Sequence, residues 1–135
     1  MTLQEQIDTF LLGKRFAVVG ASQNREKYGN KVLRAYLQNG LDVVPVNPKA
    51  LEVEGVPAVP DLRSLPEPVD GVSIITPPVI TESVVEQALK LSIHHIWIQP
   101  GAENPTATDL ATEAGANLIS GGPCILVTLR YREET

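Results

Sequence analysis

The sequence predicts an α/β domain with a doubly wound, five-stranded, mostly parallel sheet in a three-layer αβα arrangement. Three observations predict it. Short apolar, β-branched runs alternate with helix-like segments, as parallel strands joined by crossover helices require. The runs are nearly continuous in apolar residues rather than alternating, so both faces of the sheet are covered. Each of the first four runs ends in a loop of small, polar or rigid residues. A length of 135 residues fits a single domain over 1–135 and can bury a core without disulfides or metals.

The elements follow in order. A helix over Leu3–Leu12 puts Leu3, Ile7, Phe10 and Leu11 on one face, with Thr2 and Glu5 at capping-box spacing and Gly13 as its stop. The first strand is Phe16–Val19, running into Gly20. After a loop over Ala21–Lys27, a helix over Tyr28–Asn39 buries Val32, Leu33, Tyr36 and Leu37 and ends at Gly40. The second strand, Val43–Val46, stops at Asn47-Pro48. Glu52–Val59 reads as extended and irregular, and Asp61–Leu65 as one helical turn. The third strand, Val72–Ile75, meets Thr76-Pro77-Pro78. A helix over Glu82–Leu91 follows, with Thr81 as N-cap and Val84, Val85, Ala88 and Leu89 inward. The fourth strand, Ile96–Ile98, holds Trp97 in the core. A helix over Ala107–Ala114, capped by Thr106, leads to a fifth strand at Leu118-Ile119. Ile125–Leu129 fits a strand or a helix equally. Right-handed crossovers leave few topologies. Strand order 3-2-1-4-5 is favoured, with 2-1-3-4-5 as the alternative.

Composition narrows the function classes. A net charge of −5 argues against a broad nucleic-acid face. The single cysteine, Cys124, excludes an internal disulfide and a cysteine-based zinc site, which suits a reducing compartment. Met1–Lys14 contains Glu5 and Asp8 and lacks the apolar run of a signal peptide. No stretch reaches membrane-spanning length. The expectation is a cytoplasmic protein without a membrane partner. His94, His95 and Cys124 carry no evident catalytic partner, and no catalytic triad or metal motif stands out.

In such a sheet, ligands bind beyond the carboxyl ends of the strands. The first-strand loop, Gly20-Ala21-Ser22, turns tightly, offers a hydroxyl and faces a helix N-terminus, as a phosphate cradle does. It falls short of a full G-x-G-x-x-G. Gly29 allows the helix to pack closely on the strand. Arg25 and Lys27 are expected to face solvent, though either could reach a pyrophosphate. The second-strand loop, Asn47-Pro48-Lys49, lacks the acidic residue that holds the ribose of NAD. An asparagine and a lysine there suit a phosphorylated ribose, either the 3′-phosphate of coenzyme A or the 2′-phosphate of NADP. Thr76-Pro77-Pro78 makes a stiff wall with one hydroxyl, and Gln99 could bond a ligand or cap its strand.

Taken together, Val18-Val19-Gly20-Ala21-Ser22, Glu26-Lys27-Tyr28-Gly29-Asn30-Lys31-Val32, Val44-Pro45-Val46-Asn47-Pro48, Gly55 with Pro60, Pro66-Glu67-Pro68-Val69-Asp70 and Trp97-Ile98-Gln99-Pro100-Gly101 form an ordered series. The series resembles the CoA-binding domain family, which is similar to the N-terminal domain of the succinyl-CoA synthetase α subunit. The resemblance runs from about Phe10 to Cys124. It implies a Rossmann fold with coenzyme A across the loops: Gly20, Ala21 and Ser22 at the phosphates with Lys27 and Tyr28 nearby, Asn47, Pro48 and Lys49 on the adenosine side, and Thr76, Pro77, Pro78 and Gln99 completing the site. It does not imply catalysis. Near the end the chain departs from the family: Gly121-Gly122-Pro123 stands where many bacterial relatives have an Asp-Arg pair. That departure puts the role of the C-terminal segment, self-association included, in doubt.

The leading expectation is therefore non-catalytic binding of coenzyme A or an acyl-CoA. A small NADP-binding oxidoreductase or redox sensor is one rival; an interaction subunit with a vestigial nucleotide pocket is another. An exposed apolar tail could pair two copies into a homo-oligomer.

Overall fold

A computed structural model describes residues 1–133. Five parallel strands form the main sheet: β1 (Arg15–Val19), β2 (Asp42–Val46), β5 (Gly71–Ile74), β6 (His95–Ile98) and β7 (Asn117–Ile119). A hairpin, β3 (Glu52–Val53) and β4 (Val56–Pro57), stands apart from it. The helices are α1 (Leu3–Leu11), α2 (Tyr28–Gln38), α3 (Pro78–Lys90), α4 (Pro105–Glu113) and α5 (Ile125–Thr128), with a 3-10 turn at Leu62–Ser64. Among the described residues no helix is long and apolar enough to cross a membrane.

The doubly wound αβα architecture is as expected, but the strand order is not the favoured one. It runs β2-β1-β5-β6-β7, which counts the main strands as 2-1-3-4-5. Pro45 is the physical reason. It lies inside β2, opposite Val18 of β1, and it has no N–H to donate. Its carbonyl points outward and accepts from the Val59 amide at 3.1 Å. The missing donor therefore faces the outer side, where only an edge strand tolerates it. Val59 makes a single parallel rung on that edge, so the segment after the hairpin covers it without adding a strand.

Two cores sandwich the sheet. Ala17, Val72, Ile74, Ile96 and Ile98 pack beneath Val85 and Ala88 of α3 and Ala107 and Ala111 of α4. On the other face Phe10, Phe16, Trp97, Leu33 and Tyr36 join α1 and α2 to Ile125 of α5. Phe16 stacks on Phe10 at 5.4 Å between ring centres and tilts against Tyr36 at 5.1 Å.

Several boundaries differ from expectation. Leu3 and Leu37 face solvent. The 52–59 segment is a hairpin whose central residues, Glu54 and Gly55, both have positive φ, as a type I′ turn requires. Helix α3 begins at Pro78, four residues before the expected start, because proline fits the first helical position, whose N–H needs no intrahelical partner. Thr81 is thus not its N-cap but lies buried in the first turn. Asn104, not Thr106, caps α4 by accepting from the Ala107 amide at 3.1 Å. The ambiguous tail is helix α5.

Candidate functional site

The carboxyl ends of β1, β2 and β5 open onto a cavity of about 650 Å3. Gly20, Ala21 and Ser22 form its wall below β1, at φ +95° for Gly20. Helix α2 aims its N-terminus here. Lys27 is its N-cap and makes no side-chain capping bond, so no side chain offsets the positive end of the helix dipole there. Gly29 packs directly on the Gly20 carbonyl, the close approach that the sequence suggested. Of the lining residues only Lys27 and Asp61 carry charge.

Asn47 stitches two loops together. Its Nδ2 donates to the Ala21 carbonyl at 2.8 Å. Its Oδ1 accepts from the amides of Lys49 and Ala50 at 2.8 and 2.9 Å. Its side chain therefore shapes the wall by holding the β1 and β2 loops in register. Thr76 behaves similarly: its hydroxyl pairs with that of Thr81 at 2.8 Å and braces the turn into α3.

Of the expected site residues, Gly20, Ala21, Ser22, Lys27, Asn47, Pro48, Thr76 and Pro77 line the cavity together. Tyr28, Lys49 and Pro78 stand exposed outside the lining. Gln99 is buried and turned elsewhere, accepting from the Ile125 amide and donating to the Cys124 sulfur. His95 is half-buried, its Nδ1 3.2 Å from the Asn117 amide nitrogen.

Sequence reasoning missed one wall. Pro60, Asp61 and Leu62 precede and enter the 3-10 turn, and Ile80, Ser83, Val84 and Gln87 face them from α3. Gln87 Oε1 accepts from the Leu62 amide at 3.1 Å and ties the two together. Ile80, Val84 and Gln87 follow helical i, i+4, i+7 spacing, but that signal needs a helix starting at Pro78.

This geometry is a polar loop and helix terminus facing an apolar wall, at the sheet's switch point. A family model described as "CoA binding domain" matches residues 14–130. The chain belongs to the CoA-binding domain family. Among similar proteins, an uncharacterized protein of Bacillus subtilis, YneT, is 32% identical over 106 residues, 78% of each chain. An ADP-forming acetate–CoA ligase of Archaeoglobus fulgidus is 35% identical over 74 residues, 55% of this chain but 11% of the ligase. Among solved structures, a hypothetical protein from Pyrococcus horikoshii superposes with a TM-score of 0.87 at 32% identity, covering 94% of this chain and 89% of its own. A conserved hypothetical protein from Pyrococcus furiosus gives 0.79 at 37% identity, over 85% and 98%. This CoA-binding domain thus shares its fold with small proteins of similar length and part of its sequence with a much larger ligase.

Proposed function

We propose that this domain binds coenzyme A or an acyl-CoA in the cavity beyond β1, β2 and β5, without chemistry of its own. The observation that carries the reading is the Gly20–Ser22 loop facing the N-terminus of α2 in a member of the CoA-binding family. A pyrophosphate there meets backbone N–H groups and the helix dipole, with Lys27 beside it. Pro48, Pro60 and Leu62 offer an apolar surface next to the β2 loop for the adenine ring. The exposed Lys49, one residue past Pro48, is within the loop that would meet a ribose phosphate. The relation to an acetate–CoA ligase, whose name states its use of coenzyme A, supports the same ligand class.

The test is thermal unfolding with coenzyme A, acetyl-CoA, dephospho-CoA, NAD, NADP and ATP. A ligand specific to the fold adds ~2.7 kcal/mol at a hundred times its Kd. Coenzyme A should stabilise the protein most. Dephospho-CoA should stabilise it less, and Lys49→Ala should erase that difference. Stabilisation by NADP alone replaces this reading with the oxidoreductase or sensor. No stabilisation by any of them leaves a vestigial pocket.

A further inference from the structure

The β3–β4 hairpin turns on Glu54 and Gly55, at φ +51° and +77°. The first position of such a turn favours Asn, Asp or Gly. Glutamate is disfavoured there because its Cβ crowds the backbone at positive φ. Yet the Glu54 side chain is only 19% exposed and reaches into a polar network. Its Oε1 accepts from Arg25 Nη1 at 3.1 Å, and its Oε2 accepts from Asn30 Nδ2 at 3.1 Å.

Arg25 lies in the loop between Ser22 and Lys27, and Asn30 in the first turn of α2 behind it. Asn30 is fully buried, and the same Nδ2 donates to the Ser22 carbonyl at 2.8 Å. Its Oδ1 accepts from the buried Arg34 Nε at 2.6 Å, and Arg34 in turn donates to the Arg25 carbonyl at 2.7 Å. Gln23 Nε2 adds a bond to the Glu52 carbonyl at 2.9 Å. The hairpin therefore grips the loop between Ser22 and Lys27 from outside. That loop supplies two of the cavity's lining residues, Ser22 and Lys27.

We infer that Glu54 is a positioning residue: its carboxylate, kept at a turn position that disfavours it, braces the Ser22–Lys27 loop in the conformation that receives the ligand's phosphates. The inference rests on the coenzyme A reading of the cavity. Glu54 touches no ligand in this scheme. It acts through Asn30 and Arg25, by raising the fraction of molecules whose loop is ready to bind. If that fraction falls to a tenth, the apparent Kd rises about tenfold.

Glu54→Gly separates the brace from the fold. Glycine suits the turn, so the urea unfolding midpoint should stay or rise. The amides of residues 22–27 should exchange faster in ligand-free protein, and the calorimetric Kd for coenzyme A should rise about tenfold. Glu54→Gln keeps an acceptor for Asn30 but loses the ion pair, and should fall between. An unchanged Kd in Glu54→Gly overturns the inference. So does unchanged loop exchange, or loss of folding, which would make the carboxylate merely structural. A tighter Kd also overturns it, showing that Glu54 competes with phosphate for Arg25. Faster loop exchange in Glu54→Gly beside a wild-type protein that binds no coenzyme A would uphold the brace and sink the ligand reading.

Discussion

A Cβ on Gly29 would stand 2.0 Å from the carbonyl oxygen of Gly20. Neither backbone can yield easily, since a Cβ on Gly20 would in turn meet the Ile75 carbonyl at 2.3 Å. The α2 N-terminus is thus seated on the β1 loop by the absence of two side chains. Gly29→Ala should push α2 off the loop and destabilise the fold by about 1–3 kcal/mol. Urea unfolding measures it; an unchanged midpoint would mean that α2 shifts without strain.

Asn47 holds the wall through three hydrogen bonds to the β1 and β2 loops. Asn47→Asp keeps the two acceptor bonds but sets a carboxylate oxygen against the Ala21 carbonyl. It also adds a negative charge where phosphates are proposed to sit. Affinity for coenzyme A should fall more in Asn47→Asp than in Asn47→Ala, although the alanine variant loses more bonds. Calorimetric titration of both variants decides this, and the reverse ranking would remove the charge argument.

The fold was legible in the sequence wherever burial alone dictated it. Phe16–Val19 and Ile96–Ile98 are apolar runs, Val72–Ile74 is apolar but for Ser73, and all three are central buried strands. Strand order was not legible: the favoured 3-2-1-4-5 places β2 inside the sheet, whereas it is an edge, and Pro45 marks an edge only once it is known which neighbour its missing N–H would face. The candidate site was half legible. Loops directly after strands revealed themselves by composition. Leu62 and Val84 are ordinary core residues in sequence, and only the packing of the 3-10 turn against α3 brings them to the cavity. The Glu54 network was invisible because its partners, Arg25 and Asn30, lie more than twenty positions away.

Tyr36 and Ser73 join α2 to the middle of the sheet through a buried hydroxyl pair at 2.6 Å. Tyr36→Phe or Ser73→Ala leaves one hydroxyl unpaired and should cost about 1–3 kcal/mol. The double variant should cost less than the sum of the singles. Burial pushes the Tyr36 phenol far up, so its contribution is complete below pH 10.0, the unfolded value, and declines as pH rises beyond it. Tyr36→Phe should lessen the loss of stability above that pH.

Asp70 ties the start of β1 to the approach of β5. Its Oδ2 accepts from the amides of Lys14 and Arg15 at 2.7 and 3.0 Å. Those two bonds hold the carboxyl below its usual 3.8, since they favour the charged form. The unfolded chain therefore takes up this proton first as pH falls. The contribution is complete well above pH 3.8 and is lost on acidification through the folded value. Asp70→Asn should flatten part of the acid limb of a stability–pH curve, with little change in affinity for coenzyme A.

Gln99 follows β6 at the carboxyl end of the sheet, which is why the sequence suggested a ligand contact. The structure gives its side chain another task. Helix α5 has four residues, and its N-cap, Cys124, makes no side-chain capping bond. Gln99 supplies the missing cap from a distance: Oε1 accepts from the buried Ile125 amide at 2.8 Å while Nε2 donates to Cys124 Sγ at 3.3 Å. Trp97 adds a parallel tie, its indole N–H donating to the Pro123 carbonyl at 3.1 Å. Gln99→Ala should leave the Ile125 amide unpaired and cost about 1–3 kcal/mol. Amides over 125–131 should exchange faster, and the half-buried Cys124 should react faster with a thiol reagent, because the loosened helix opens more often. Affinity for coenzyme A should not change. A weaker Kd with stability and thiol reactivity intact would return Gln99 to the ligand.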